Sequence, residues 1–169
     1  RPGDAIVESA KPYAHHFIAL FLGGFLLALA MERWDLHRRI ALTALRFAGS
    51  SALGLVAAFM LVTAVLSMWV SNTATTVMML PIATSILARM PAGSASDRFA
   101  LCLMLGIAYA ASIGGIGTLI GTPPNTLLAG FVRDQYDREI TFASWLVVGL
   151  PVVVIFLPIT WLLLTQWLH

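Results

Sequence analysis

The chain has 169 residues, of which 59% are hydrophobic and only 11% charged, and its mean hydropathy is +0.88. Soluble domains carry about a quarter charged residues, so the composition excludes an ordinary water-soluble fold. The net charge of +2 comes from bases that stand singly or at the edges of apolar stretches, with Lys11 the only lysine, which argues against a nucleic-acid partner.

No Asp, Glu, Lys or Arg occurs in 12–31, 47–88, 99–132 or 140–168. Each interval is at least as long as the roughly 20 apolar residues that cross a hydrocarbon core. A soluble core helix has no need to be charge-free all round for that length. The lone Cys102 excludes a disulfide within the chain and sits in an apolar stretch, where a packing role suits it.

In chain order, 1–12 reads as a polar loop without the layout of a signal peptide, and the Arg1 start suggests a piece of a longer protein. A first membrane helix is expected over 13–31. Residues 32–46 interleave Arg33, Arg38, Arg39 and Arg46 with Leu36, Ile40, Leu42 and Leu45, the spacing of a short amphipathic helix in the interface. An ordinary solvated loop is the alternative there. The stretch 47–88 is too long for one crossing and is polar at its centre, Ser71-Asn72-Thr73 with Thr75-Thr76. It is either two full crossings or a re-entrant hairpin whose tip stops inside the membrane. Non-helical backbone at that depth must line a buried or wet cavity, so the second reading implies a binding site.

A polar connection is expected at 89–98. The stretch 99–132 is broken by Gly114-Gly115-Ile116-Gly117-Thr118 and then Gly121-Thr122-Pro123-Pro124-Asn125, which predicts two half-helices around an unwound loop. A polar loop at 133–139 leads to a last crossing within 140–169, with tryptophans near both ends as in an aromatic belt. Loop 32–46 carries four Arg against two acids, 89–98 two against one, and 133–139 two against three. The positive-inside rule places the first two loops in the cytoplasm and the third outside. These boundaries divide the chain into 1–46, 47–139 and 140–169.

The two polar breaks carry the chemistry. Ser, Asn and Thr are preferred N-caps, so a helix starting near Ala74 aims its free N–H groups and positive dipole end over Asn72 and Thr73. At the second break Thr122 is an N-cap and Pro123 fits N1, where its missing N–H is no loss. The N-termini suit an anion, and the carbonyls left free at the preceding helix ends suit a weakly held cation such as Na+. Discontinuous helices of this kind point to the binding sites of secondary transporters. The structural alternative is that Ser, Thr and Gly here only let helices pack closely. No carboxylate lies in the apolar stretches, which disfavours a proton relay, and no Arg or Lys lies there to hold an anion.

At these residues the sequence resembles the divalent-anion/sodium symporter family, the sodium-coupled di- and tricarboxylate transporters. The motifs are Ser71-Asn72-Thr73-Ala74-Thr75-Thr76 with Met78-Met79-Leu80-Pro81-Ile82, and Gly114-Gly115-Ile116-Gly117-Thr118 through Gly121-Thr122-Pro123-Pro124-Asn125. Phe21-Leu22-Gly23-Gly24-Phe25, Ala28-Leu29-Ala30-Met31-Glu32 and Leu36-His37-Arg38-Arg39-Ile40-Ala41 add to it. The resemblance implies an all-α integral membrane fold: one inverted repeat of an elevator-type transporter, with a cytoplasmic re-entrant hairpin (47–88) and a broken helix (99–132) in the transport domain and 1–46 on the scaffold side. It implies a sodium site from Ser67, Ser71, Asn72 and the backbone of Gly121, and substrate contacts from Asn72, Thr73 and Thr122, with Pro123 and Asn125 as structural caps. It also implies a small carboxylate substrate, co-transported sodium without an organic cofactor, a homodimer of the full-length protein, and a bacterial inner or other plasma membrane. Family members have two Ser-Asn-Thr hairpins and this chain has one, so it reads as the N-terminal half, unable to transport alone.

A dicarboxylate exchanger, a sulfate or arsenite transporter of similar fold, and a non-transporting assembly subunit remain alternatives. A membrane enzyme is disfavoured. His15 and His16 are adjacent and point to different helix faces, and there is no His-Glu-x-x-His, no Gly-x-Ser-x-Gly and no paired intramembrane aspartates.

Overall fold

Apolar stretches this long can satisfy their backbone N–H and C=O groups only within themselves, which favours helices. The computed structural model describes residues 22–24, 26, 29–31, 33–36, 39–40, 42–43, 51–90 and 93–166. Every regular element among them is helical: α1 Ala52–Ser67, α2 Asn72–Leu87, α3 Ser94–Ile116, α4 Pro123–Tyr136 and α5 Phe142–Gln166. Upstream, 22–24, 26 and 29–31 are helical, Asp35 turns the chain with φ 49°, and 36, 39–40 and 42–43 are helical again. The remainder of the expected first membrane helix and interfacial helix, the loop at 1–12 and Trp167 lie outside the described residues.

The termini follow local chemistry. Ser51 caps α1 by accepting from the Gly54 N–H at 3.1 Å, and Ser71 caps α2 by accepting from the Ala74 N–H at 3.3 Å. The second hairpin helix therefore starts at Asn72, two residues before Ala74. α4 opens with Thr122 as N-cap and prolines at N1 and N2. Its end corrects the expected loop at 133–139. The helix runs on to Tyr136 and stops at Asp137, a left-handed residue whose N–H donates to the Arg133 carbonyl at 2.9 Å. The connection expected at 89–98 is likewise shorter, because α3 begins at Ser94.

α3 is the central helix. α1 lies along most of it, with α2 and α5 packed beside it. Val56, Phe59 and Met60 of α1, Met79 and Ala83 of α2, and Leu103, Ile107 and Ala110 of α3 form the buried core. Gly106, Ala110 and Gly114 recur every fourth residue on α3, all buried, and line its contact with α1. Where lipid tails are as apolar as Leu, close approach along small residues supplies the association that hydrophobicity does not. α3 and α5 are long and apolar enough to cross a membrane. The outer face of α5 is bare, with Val147 75% and Leu163 58% exposed.

Candidate functional site

The tip of the α1–α2 pair and the end of α3 meet. α1 stops at Ser67, four residues connect it to α2, and Trp69 in that turn lies 6.4 Å, centroid to centroid, from Phe142 at the start of α5. α3 stops at Ile116, and 117–122 run without helix to α4. The expected break thus begins later than its first two glycines. Gly114 and Gly115 are helical and serve a different purpose, which is space. A Cβ on Gly114 would lie 2.2 Å from the Ala64 carbonyl oxygen, and one on Gly115 would lie 2.3 Å from Asn72 Oδ1. The packing alternative is correct for these two residues, and the backbone unwinds only beyond them.

Three oxygens gather at the tip. The fully buried Ser67 hydroxyl lies 2.8 Å from Asn72 Oδ1 and 2.6 Å from the Ala111 carbonyl oxygen. It has one proton for two acceptors. Two arrangements satisfy the set: a half-turn of the Asn72 amide, which puts an Nδ2–H on Ser67, or a cation among the oxygens. Gly121 packs against Gly115, the residue that touches the Asn72 amide, since a Cβ on it would lie 2.5 Å from the Gly115 carbonyl oxygen. Its own carbonyl accepts no hydrogen bond from the described residues. Pro123 and Pro124 have no N–H to offer the carbonyls of Leu119 and Ile120 four residues back, so this loop carries oxygens without helical partners.

Ser67, Asn72 and Gly121, all expected sodium ligands, are therefore brought together around Gly115. Ser71 is adjacent in the chain and its oxygen is engaged as the α2 cap. Of the expected substrate contacts, Thr73 is exposed and Thr122 is half-buried with a hydroxyl that makes no capping bond, so neither is consumed by the fold. Pro123 is at N1 as expected. Asn125 is not a simple cap. It is 7% exposed, and its amide donates to the Gly115 and Thr118 carbonyls at 2.9 and 2.8 Å, bridging the two half-helices across the break. Thr118 donates in turn to the Met68 carbonyl at the tip. The break and the tip are thus hydrogen-bonded to each other.

The citrate transporter family profile, CitMHS, matches residues 5–169. The chain belongs to the citrate transporter family. It is 45% identical over 164 residues to proteins of Staphylococcus aureus strains NCTC 8325 / PS 47, bovine RF122 / ET3-1 and COL, each named sodium-dependent dicarboxylate transporter SdcS. The alignment covers 93% of this chain and 32% of each relative, so the chain spans about a third of the length of these curated relatives. The resemblance carried by the Ser71–Thr76 and Gly114–Asn125 motifs is borne out.

Two residues of this citrate-transporter chain escaped the sequence reading. Thr118 sat inside a quoted motif, but its reach to Met68 depends on a contact 50 residues apart. Trp145, read as an interfacial belt residue, donates its indole N–H to the Ile116 carbonyl at 2.9 Å. The stripe of Gly106, Ala110 and Gly114 was a signal in the sequence that would have predicted the helical path of Gly114.

Proposed function

We propose that this chain forms the hairpin and broken-helix half of a sodium-coupled transporter for di- or tricarboxylate anions, embedded in a bacterial inner or other plasma membrane. The observation that carries the reading is the oxygen cluster of Ser67, Asn72 and Ala111, with Gly115 packed on Asn72 and Gly121 packed on Gly115. It is a neutral oxygen set suited to a hard, weakly bound cation. Identity with sodium-dependent dicarboxylate transporters supports the same pairing of ion and substrate class.

Sodium is held by Ser67, Ser71, Asn72 and the Gly121 backbone. The substrate carboxylate meets Asn72, Thr73 and Thr122 over the N-termini of α2 and α4, whose partial positive charge serves where the apolar stretches hold no Arg or Lys. α1 and α2 have 16 residues each, about 24 Å, short of the roughly 30 Å core, which supports a re-entrant hairpin over two crossings. Residues 1–46 belong to the scaffold side, 47–139 to the transport domain, and 140–169 carry the last crossing. The loops at 32–46 and 89–98 face the cytoplasm. The full-length protein is a homodimer that moves the transport domain in elevator fashion, and this chain alone does not transport.

The test is uptake of labelled succinate and citrate by the full-length protein in liposomes, under an inward sodium gradient and with potassium in its place. Uptake should require sodium, and Asn72→Ala should weaken the sodium and substrate responses together, because the two sites share this side chain. Substrate affinity unchanged with the sodium response lost would refute a shared site. Exchange driven by internal dicarboxylate without sodium would point to an antiporter.

A further inference from the structure

α5 meets the break twice on one face. Trp145 donates its indole N–H to the Ile116 carbonyl at 2.9 Å. One turn on, the buried Gly149 leaves no room: a Cβ there would lie 2.7 Å from the Ile116 carbonyl oxygen, 2.9 Å from that of Gly117 and 3.1 Å from Trp145 Nε1. Residues four apart share a helix face, so the donor and the bare surface act on the same peptide group. Ile116 is the last residue of α3 and Gly117 the first beyond it, where carbonyls lose their helical partners. An indole is a donor only, with no acceptor to compete for a cation. Ile116 follows Gly115, which touches the Asn72 amide and whose carbonyl lies against Gly121. A turn of the peptide at 116–117 would therefore re-aim the unwound segment that runs from Gly117 to Gly121 beside the Gly115 carbonyl.

We infer that Trp145, seated by Gly149, is a positioning residue for the cation site: it holds the Ile116 carbonyl toward α5 and so sets how the unwound segment presents its oxygens to the ion. The inference rests on the sodium reading above. The molecule contains its own control. Trp161, on the same helix, donates its indole N–H to the Leu53 carbonyl at 3.1 Å. Leu53 is at the opposite end of α1 from Ser67, so this bond is of the same kind and is remote from the site.

The experiment is the sodium dependence of labelled succinate uptake by the full-length protein in liposomes, for the wild type, Trp145→Phe and Trp161→Phe. Trp145→Phe should raise the half-maximal sodium concentration about fivefold, the equivalent of one hydrogen bond. Trp161→Phe should leave it within about twofold, although both variants lose one indole bond and some thermal stability. A Trp145→Phe variant with the sodium dependence of Trp161→Phe overturns the inference alone. Wild-type uptake indifferent to sodium overturns the sodium reading and this inference with it. If Trp145→Phe does not fold, Trp145→Leu serves instead. It also removes the indole N–H from the Ile116 carbonyl, and unchanged sodium dependence there overturns the inference.

Discussion

Gly115→Ala should leave the full-length protein folded but strip it of sodium-dependent uptake, whereas its neighbour Gly114→Ala should fail at folding. The two glycines are consecutive in α3 and both buried, so helix propensity and burial do not separate them. Their neighbours do. At Gly114 a methyl would meet three backbone atoms of Ala64, the carbonyl oxygen at 2.2 Å, Cα at 2.5 Å and the carbonyl carbon at 2.7 Å. Backbone cannot rotate out of the way, so α1 and α3 must part along the seam that holds the core. Overpacking of even flexible surroundings costs about 1–3 kcal/mol, and a rigid contact belongs at or above the top of that range.

At Gly115 all three nearest atoms belong to the Asn72 amide, at 2.3, 3.1 and 3.1 Å. That side chain can swing aside, losing its bond to Ser67. The loss, about 1 kcal/mol, is roughly offset by the helix propensity gained from alanine. The fold survives and the site does not, with uptake reduced on the order of tenfold or more. Thermal unfolding in detergent and uptake in liposomes, on the same two variants, check both halves. Normal uptake by Gly115→Ala would remove Asn72 from the site. A Gly114→Ala protein that melts like the wild type would contradict the tight α1–α3 seam.

The second large effect is expected at Asn125. Its amide supplies donors to two carbonyls, Gly115 at the end of α3 and Thr118 within the break, in a place water does not reach. Asn125→Leu keeps a similar volume, orphans the Gly115 carbonyl and leaves the Thr118 carbonyl only its 3.3 Å bond from the Gly121 N–H. At about 1–3 kcal/mol for an unsatisfied buried group, the loss is roughly that much for the Gly115 carbonyl alone. Asn125→Asp replaces the donor by an acceptor opposite two further acceptors and should be worse still. The expected order of melting temperatures is wild type, then Asn125→Leu, then Asn125→Asp, with uptake lost in both variants. Equal melting of all three would show that the break is held by something other than this bridge.

Much of this architecture was readable without coordinates because it is local. A charge-free stretch longer than a bilayer crossing, a Ser or Thr before a helical run, and a proline at the first helical position each act through residues a few places apart. Thr122 accordingly takes the N-cap position expected of it, and the cap of the second hairpin helix falls within the Ser-Asn-Thr run, on Ser71. The membership of the citrate transporter family was legible for the same reason, since its motifs are short runs at the two breaks.

What the chain could not declare by itself was the use each break residue is put to. Three glycines in four positions read as a helix stop because glycine loses about 1 kcal/mol against alanine in a water-exposed helix. In an apolar setting an unpaired N–H or C=O costs more than that, so Gly114 and Gly115 stay helical, and glycine is needed there because Ala64 and Asn72 occupy the space a side chain would take. Asn125 looked like a cap and turned out to be a bridge, and Trp145 looked like a membrane-surface anchor and turned out to grip the end of α3. Thr118 reaches Met68 across 50 residues and Ser67 reaches Ala111 across 44. Spacing along a sequence decides which side chains share a helix face. Only the packing of α1, α2 and α5 about α3, with α4 tied to it through Asn125, decides which carbonyls those side chains satisfy.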